Sequence, residues 1–493
     1  MTLLPPARLY IDGVLHDAEG GRMFDVISPW TGEIVGQASD ASAADVEAAI
    51  SAARRAFDET TWGEPENIPQ RVALVTKLRG LFQDNLDRLS DLARHEAGAA
   101  LGSVGRAHVN GALANWDDYL KVFPQVQWEK HYDPRNYGPL GDHERIAVYE
   151  PIGVVGAITP WNVPLTVNIG KVIAALLAGC TVILKPAPDT PGAGAIFGEL
   201  AAQAGFPKGV LNVVFGADPA LAGELLVTDP RVDLISFTGS TGVGKRIMEQ
   251  GAATLKRVFL ELGGKSAKIV LDDAPDFARE IAQSMLLFHA GQGCAVQSRL
   301  LVPRKRYDEA KAILKQSYAA IDSNWGDFDD PQQIMGPVVS KKQQERVLSY
   351  IAIGQDEGAT LLHGGKARPD KGGGFFVEPT CFVDVLNTMR IAQEEIFGPV
   401  LVVIPFDDDD DAIRIANESQ FGLSGGVVSA DRERAMRVAR RIRAGTISVN
   451  GGMCMAGDVP FGGYKASGLG REWGLEGIEE YLETKLIAVP QVA

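Results

Sequence analysis

Three separated segments of the sequence carry side chains suited to covalent catalysis. The first, GQGC, places Cys294 between a glycine and an alanine, just beyond a stretch predicted to be an apolar helix. Small neighbours leave the sulfur accessible, and the thiolate is the form of cysteine that attacks an electrophile. The pattern therefore predicts a nucleophile at Cys294. A Cys/His protease pair with His289 is the alternative, although a separation of five residues does not place two side chains on one helical face.

The other two segments offer a base and a hydrogen-bond donor. In LELGGKSAKIVL, Glu261 lies between two leucines, and an apolar setting raises a carboxyl pKa towards that of a useful base. An ion pair with Lys265 is the alternative there. In ITPWNVPL, the prolines stiffen the chain around Asn162, whose amide can donate to a developing oxyanion. Its alternative is a hydrogen bond within its own turn.

A glycine-rich turn, FTGSTGVGKRI, follows a predicted strand and opens a predicted helix, which suits phosphate binding. Gly239, Gly244 and Lys245 match the spacing of a nucleoside triphosphate loop, but Arg246 stands where that loop needs a magnesium-binding hydroxyl. A dinucleotide pyrophosphate needs no such ligand, so this interpretation survives even though the GxGxxG fingerprint is absent. A turn without any ligand is the third alternative.

The composition limits the possible partners and compartments. The chain has 493 residues, 45% of them hydrophobic and 23% charged, which suits a protein of two or three domains. A net charge of −15 argues against nucleic acid or an anionic membrane as the main partner. No secretory signal or membrane-spanning run is visible. Cys180, Cys294, Cys381 and Cys454 lie far apart, so we expect neither disulfides nor a zinc site, and we predict a cytoplasmic protein.

The elements that position these segments follow from hydrophobic periodicity. Residues 8–27 predict short strands, and helices are predicted at 44–59, at 69–98 and through about Tyr119. From about residue 144 onwards strands and helices alternate, which indicates a parallel sheet with crossover helices. The run Asp407–Asp411 predicts a solvated helix N-terminus, because acidic residues suit the helix dipole. A metal site is the alternative for that run.

Seven motifs together resemble the aldehyde dehydrogenase superfamily over nearly the whole chain. They are PWN at 160–162, LKPAP at 184–188, FTGSTGVG at 237–244, LELGGKS at 260–266, GQGC at 291–294, EEIFGPV at 394–400 and PFGGYKASGLGRE at 460–472. The resemblance implies an α/β fold with a Rossmann-like cofactor domain (1–128 and 152–262) and an α/β catalytic domain (263–479). It also implies a small β oligomerisation element (129–151 and 480–493) and therefore a homodimer or homotetramer.

The resemblance implies a mechanism for oxidising an aldehyde to a carboxylic acid. Cys294 would attack the aldehyde to form a thiohemiacetal, while Asn162 and the Cys294 backbone N–H hold the oxyanion. Hydride transfer would then leave a thioester, which Glu261 hydrolyses by deprotonating water. Lys171 and Glu472 match positions that support the catalytic centre, and no metal is implied. The alternatives are a non-catalytic relative and a relative that transfers the acyl group to coenzyme A.

The implied cofactor is NAD, with NADP possible. Glu395 and Phe397 match positions for the nicotinamide ribose and ring, Lys185 for the adenine ribose, and Ser240 for the pyrophosphate. Further cofactor contacts are implied at Ile158, Thr159, Pro160, Trp161, Ala187, Pro188, Gly216, Phe237, Thr238, Gly239, Val243, Leu262 and Gly263. One departure affects specificity. Many NAD-preferring relatives carry a glutamate where this chain has Pro188, so a carboxylate that would repel a 2′-phosphate is missing there.

The substrate is predicted to be a medium or bulky hydrophobic aldehyde. Alignment on the PWN motif and on the loop before PFGG implies an apolar channel without a cation for a charged substrate. The implied lining residues are Val163, Val167, Gly170, Phe288, Met453, Met455 and Phe461. Valine and glycine at places where relatives carry large aromatic residues predict a channel that is wide on one side.

Overall fold

The structure, a computed structural model, describes residues 4–321, 324–452 and 455–491, with the side chains of residues 106 and 107 left undescribed. In chain order the strands are β1 (Leu9–Ile11), β2 (Val14–His16), β3 (Met23–Ile27), β4 (Ile34–Ser39), β5 (Glu129–Asn136), β6 (Asp142–Pro151), β7 (Val154–Ile158), β8 (Thr181–Lys185), β9 (Leu211–Val213), β10 (Leu234–Thr238), β11 (Arg257–Glu261), β12 (Ala267–Val270), β13 (Arg299–Pro303), β14 (Thr360–His363), β15 (Thr380–Val383), β16 (Val400–Phe406), β17 (Phe421–Gly422), β18 (Ser424–Val428), β19 (Thr446–Val449), β20 (Tyr464–Lys465), β21 (Gly468–Leu469) and β22 (Leu482–Pro490). The helices are α1 (Ala43–Glu59), α2 (Ile68–Gln83), α3 (Leu86–His95), α4 (Leu101–Ser103), α5 (Asn110–Val122), α6 (Pro164–Ala178), α7 (Gly192–Ala204), α8 (Pro219–Thr228), α9 (Thr241–Gly251), α10 (Phe277–Ala282), α11 (Tyr307–Ile321), α12 (Lys341–Asp356), α13 (Arg390–Gln393), α14 (Asp409–Asn417), α15 (Arg432–Ala439) and α16 (Gly474–Glu479).

Two large sheets form the molecule, and each is mainly parallel. The first has the strand order β2-β1-β9-β8-β7-β10-β11-β21, in which β9 to β11 run parallel. The second has the order β14-β15-β16-β13-β12-β18-β19 and is parallel from β15 to β19. Strands β7 and β8 are buried along their whole length, as expected where helices cover both faces. The predicted α/β class is confirmed.

The registers of the first sheet bring polar residues to a single edge. Ile158 at the end of β7 is opposite Lys185 at the end of β8, and Thr238 of β10 is opposite Glu261 of β11. Ligands of open α/β sheets bind outside the carboxyl ends of the strands. Residues from four sequence segments therefore meet where a ligand is expected to bind.

Two local predictions have different outcomes. The helix predicted over 69–98 is wrong, because the structure divides it into α2 and α3 around Asp84 and Asn85. The Asn85 side-chain amide donates to the carbonyl of Leu81 (2.8 Å), and such side-chain bonds compete with helix continuation. The aspartate run is confirmed as a helix N-terminus. Asp408 caps α14 by accepting the N–H of Asp411 (2.9 Å).

A third, antiparallel sheet of β22, β6 and β5 is largely exposed. It contains both segments that were predicted to form the oligomerisation element. The predicted domain boundaries themselves stay a prediction. Strand β21 comes from the segment assigned to the catalytic domain, yet it pairs with β11 of the first sheet. No helix within the described ranges is long and apolar enough to cross a membrane.

Candidate active site

The loop that carries Cys294 has an uncommon backbone. The helix predicted just before it is wrong, because α10 ends at Ala282 and only a short 3₁₀ turn precedes the loop. His289, Ala290 and Gly291 lie within this turn and have φ values of 48°, 51° and 70°. A positive φ is uncommon for residues other than glycine. Three such residues in succession turn the chain sharply and present Cys294 beyond the turn.

Hydrogen bonds of Gln292 hold this turn in place. Its side-chain amide donates to the carbonyl of His289 (3.1 Å) and accepts the backbone N–H of Val339 (2.9 Å). The buried side chain of Asn162 donates through Nδ2 to the Gln292 carbonyl (3.0 Å). Asn162 comes from the loop between β7 and α6, so this bond joins the first sheet to the loop of Cys294. The alternative of a bond within its own turn does not describe this amide.

Two glycines after β11 allow other groups to come close to the same loop. A Cβ atom on Gly264 would lie 2.5 Å from the carbonyl oxygen of Cys294, and one on Gly263 would overlap the carboxylate of Glu395. The carboxylate of Glu395 accepts the backbone N–H of Gly264 (2.9 Å). Only glycine at these two positions leaves room for both neighbours.

The thiol of Cys294 is held in its protonated form. Burial raises its pKa to about 12, and the negative charges of Glu261, Glu395 and Glu472 add to this effect. A thiol needs to lose its proton before it attacks. The site must therefore supply an acceptor for that proton.

Glu261 lies at the end of β11 and is fully buried. Neither of its carboxylate oxygens has a hydrogen-bond partner among the described residues. Burial raises its pKa well above the usual value, the charge of Glu472 raises it further, and Lys171 and Arg471 oppose the shift. The alternative of an ion pair with Lys265 is wrong, because the Lys265 ammonium is also buried without a partner in the described part of the chain.

A buried ion pair lies beside Glu261. Lys171 Nζ is 3.1 Å from Glu472 Oε1, and both side chains are buried. Lys171 also donates to Ser236 Oγ (3.2 Å). Breaking a buried pair leaves an uncompensated charge and is strongly destabilising, so this pair fixes its two residues firmly.

His289 does not support a Cys/His protease pair. Its ring packs edge to face on the ring of His108, with the centroids 4.7 Å apart. Burial lowers the pKa of His289 to about 4. This imidazole is turned towards His108.

A cavity of about 270 Å³ contains Cys294 and Asn162. It brings together several residues predicted to hold the cofactor, namely Pro160, Trp161, Thr238, Gly239, Ser240, Leu262, Gly263, Glu395 and Phe397. Ser240 caps α9 by accepting the N–H of Val243 (3.4 Å). Lys245 is exposed and lines neither this cavity nor the next, so the triphosphate-loop alternative is not supported.

Two further lining residues, Gln343 and Arg346 of α12, were not predicted. Gln343 donates to the carbonyl of Phe397 (2.7 Å) and Arg346 to that of Glu395 (2.6 Å). Phe397 has a φ of 62° and meets Trp161 edge to face. Helix α12 therefore holds the loop that carries both predicted nicotinamide contacts. No motif near residue 343 could have indicated this.

A second cavity, of about 370 Å³, shares Trp161 with the first. It is lined by the predicted residues Ile158, Thr159, Lys185, Ala187, Pro188, Phe237 and Val243. Sequence reasoning missed Asp189, Glu224 and Arg246, which also line it. Burial lowers the pKa of Lys185 to about 8, and the charge of Asp189 opposes this shift. Asp189 directly follows Pro188, so its place next to the LKPAP motif is the feature of the sequence that could have indicated it.

Gly216 lines neither cavity. A Cβ atom there would lie 2.9 Å from Asp40 Oδ1. Its predicted cofactor contact therefore stays a prediction that this geometry does not support.

The predicted substrate residues are less well gathered than the cofactor residues. Val167 and Phe461 are buried, Val163 is half-buried, and Phe288 and Met455 are exposed. Met453 lies outside the described residues. Gly170 does not widen a channel as predicted, because the space in front of it is occupied by Glu472 and Trp473.

Comparisons with known proteins agree on one family. A sequence model of the aldehyde dehydrogenase family matches residues 15–487. A putative aldehyde dehydrogenase, DhaS of Bacillus subtilis, is 40% identical over 98% of this chain and 95% of its own. A Mycobacterium tuberculosis aldehyde dehydrogenase solved with NAD+ is 40% identical with a TM-score of 0.93, covering 99% of both chains. Aldehyde dehydrogenase C of Pseudomonas syringae, a cysteine-to-alanine mutant solved with NAD+ and octanal, is 37% identical with a TM-score of 0.90, covering 97% of this chain and 96% of that one.

The contact at Gly264 yields a prediction. In Gly264→Ala the new methyl group must displace the backbone of Cys294, and a misplacement of about 1 Å can cost about 100-fold in rate. We expect kcat for aldehyde oxidation to fall by about that factor while the protein still folds. Gly80→Ala is the matched control, since a Cβ atom on Gly80 of α2 meets nothing within 4 Å. Unchanged kcat in Gly264→Ala would contradict the contact.

Proposed function

The chain belongs to the aldehyde dehydrogenase family and catalyses the oxidation of an aldehyde to a carboxylic acid, and we propose NAD as its cofactor and Cys294, Asn162 and Glu261 as its catalytic residues. One observation carries the proposal. Cys294 and Asn162 open into one cavity with the predicted cofactor residues, and an unpartnered carboxylate, Glu261, is buried close enough to raise the pKa of the thiol.

The two cavities fit a dinucleotide. They meet at Trp161, and the capped N-terminus of α9 offers backbone N–H groups to a pyrophosphate between them. A Cβ atom on Gly239 would overlap the Phe237 ring, so glycine keeps this turn tight. We assign Lys185 to the adenosine end and Glu395 to the nicotinamide ribose. NAD, when bound, supplies a nicotinamide ring that accepts a hydride.

Three side chains of the protein carry out the remaining steps. Cys294 loses its proton to solvent in the cavity, and its thiolate attacks the aldehyde carbon to form a thiohemiacetal. Loss of a hydride from that carbon to the bound cofactor then leaves a thioester. The amide of Asn162 exchanges its bond to the Gln292 carbonyl for one to the oxyanion, a contribution of about 100- to 1,000-fold in rate. Glu261 has the raised pKa of a general base and takes a proton from the water that hydrolyses the thioester.

Lys171 and Glu472 act one step further from the reacting atoms. Their ion pair sets the charge around Glu261, because Lys171 lowers and Glu472 raises its pKa. We propose that the pair balances the charge around Glu261, so that this carboxyl can both accept and release a proton.

The exposed sheet of β5, β6 and β22 is proposed as the subunit contact. Its surface carries Tyr132, Leu486, Ile487 and Val489 with large exposed areas, and its outer strands leave backbone groups unpaired within the described chain. A homodimer or homotetramer would cover them. We also propose a cytoplasmic location, because the cysteines lie far apart in the sequence. The division into a cofactor domain and a catalytic domain is proposed from the resemblance to the family.

The role of Glu261 can be tested by a burst experiment. In Glu261→Gln the thioester forms but is hydrolysed slowly, so we expect about one equivalent of reduced cofactor per site followed by near silence. Rapid mixing with an aldehyde and NAD, followed by absorbance, measures both phases. Cys294→Ser should give no burst. Full steady-state turnover in Glu261→Gln would mean that another group is the base, and turnover that requires coenzyme A would favour acyl transfer.

Cofactor preference can be tested at Asp189. The carboxylate missing at Pro188 is supplied one residue later, in the same cavity as Lys185, so we expect NAD to be preferred over NADP. In Asp189→Asn we expect kcat/KM with NADP to rise about tenfold, because repulsion of a 2′-phosphate is lost. Glu249→Gln, an equal charge change at an exposed position of α9 outside the cavity, is the matched control. Equal effects in both variants, or a wild type that prefers NADP, would contradict the assignment.

Substrate preference can be tested with a series of aldehydes. Val163, Val167 and Phe461 are apolar residues close to the Asn162 and Glu472 segments, and the relative from Pseudomonas syringae was solved with octanal. A buried CH₂ group contributes about 0.8 kcal/mol, or about fourfold in kcat/KM. We therefore expect kcat/KM to rise from acetaldehyde to hexanal and benzaldehyde. A flat series, or a preference for a charged semialdehyde, would contradict a hydrophobic substrate.

A further inference from the structure

Trp473, the residue after Glu472, has a backbone conformation that is rare outside glycine. Its φ is 66° and its ψ is 171°, a region that residues with a Cβ atom adopt only when their surroundings enforce it. The side chain is buried. Strain of this kind is maintained by specific contacts, and the described residues around Trp473 provide them.

The indole of Trp473 occupies the space in front of Gly170. A Cβ atom on Gly170 would lie 3.1 Å from Trp473 Cζ2 and 2.9 Å from Glu472 Oε1. The indole also stacks on the ring of Tyr119, with centroids 4.8 Å apart and an angle of 30°. The large indole of Trp473 therefore occupies the space that a side chain on Gly170 would need.

Hydrogen bonds close this arrangement into a ring. The backbone N–H of Trp473 donates to the hydroxyl of Tyr119 (3.1 Å), which donates to the carbonyl of Gly170 (3.1 Å). The neighbouring residues in the two segments, Lys171 and Glu472, form the buried ion pair. The segments 170–171 and 472–473 thus meet through packing, hydrogen bonds and charge at the same place.

We propose that the Trp473–Tyr119 stack, seated against Gly170, is a positioning device that presses Glu472 onto Lys171 and thereby sets the surroundings of the base Glu261. The inference rests on the proposed role of Glu261 and adds Trp473 and Tyr119 as positioning residues. Neither touches the reacting atoms in this arrangement. Their effect should appear in deacylation and its pH dependence, while cofactor binding is left as it is.

Several ionisable groups determine the direction of the pH effect. Glu472 faces Lys171 of α6, Glu261 of β11, Tyr119 of α5, Tyr481 and Cys294. Glu261 itself also faces Arg471, whose charge lowers its pKa. Burial is the largest cause of the raised pKa of Glu261. Removing the indole admits water to this region, so the pKa of Glu261 should fall and the rise of kcat with pH should move to lower pH.

The decisive variant is Trp473→Gly, because glycine tolerates the backbone conformation while it removes the ring. We expect kcat to fall about tenfold or more, the acidic limb of the kcat profile to shift to lower pH, and KM for NAD to stay within about twofold. Trp473→Phe keeps a stacked ring and should restore most of kcat. Trp325→Leu, which removes a buried indole from the second core, is the matched control for general loss of packing and should leave the pH profile unchanged.

Two further variants keep the proposal testable if Trp473→Gly does not fold. Tyr119→Phe removes only the hydroxyl of the hydrogen-bonded ring and should shift the same limb by a smaller amount. Gly170→Ala should lower kcat in the wild type and have a smaller effect beside Trp473→Phe, since the two sites share one space. Normal kcat and an unshifted profile in the folded variants would overturn the positioning role, even if Glu261→Gln stalls as expected. Full turnover in Glu261→Gln would instead overturn the proposed base.

Discussion

The approach of two backbones at Gly264 is the constraint on which the rest of the site depends. Gly264 lies between the last parallel strand of one sheet and the first strand of the other, and it touches the carbonyl of Cys294 with no room for a side chain. One contact thus fixes Cys294, the proposed nucleophile, relative to the strand that ends in Glu261. It also fixes the loop of Glu395, whose carboxylate is bound to the Gly264 N–H.

Several carboxylates and few cations surround Cys294. Three carboxylates raise the pKa of the Cys294 thiol, while Lys171 is paired with one of them, Glu472. A low dielectric makes each of these charges count more than it would in water. The Cys294 thiol therefore stays protonated until a proton acceptor is available, while burial is the largest cause of the raised pKa of Glu261.

The sequence predicts candidate residues whose chemistry depends on their type and their neighbours in the chain, and it does not predict residues whose role depends on distant contacts. Cys294, Glu261 and Asn162 were predicted because their types and neighbours in the chain already suggest their chemistry. Gln343 and Arg346 support the Glu395 loop from a helix without any motif, and periodicity does not tell which surface a helix presents to a distant loop. Gly170 was interpreted as open space, because a sequence does not reveal that Trp473 fills it. The helix break at Asn85 was missed since its cause is a single side-chain hydrogen bond.

The core of the first sheet has a consequence for the order of folding. Phe461, Trp473, Ile478 and Tyr481 belong to that core together with strands β7 to β11, and β22 pairs with β6 across more than three hundred residues of chain. Contacts of such long sequence separation form slowly, because a large loop must close before they stabilise anything. During synthesis on a ribosome, apolar surface of the first sheet therefore stays uncovered until residues 461–482 emerge. Chaperones that bind exposed apolar segments would shield it during that interval.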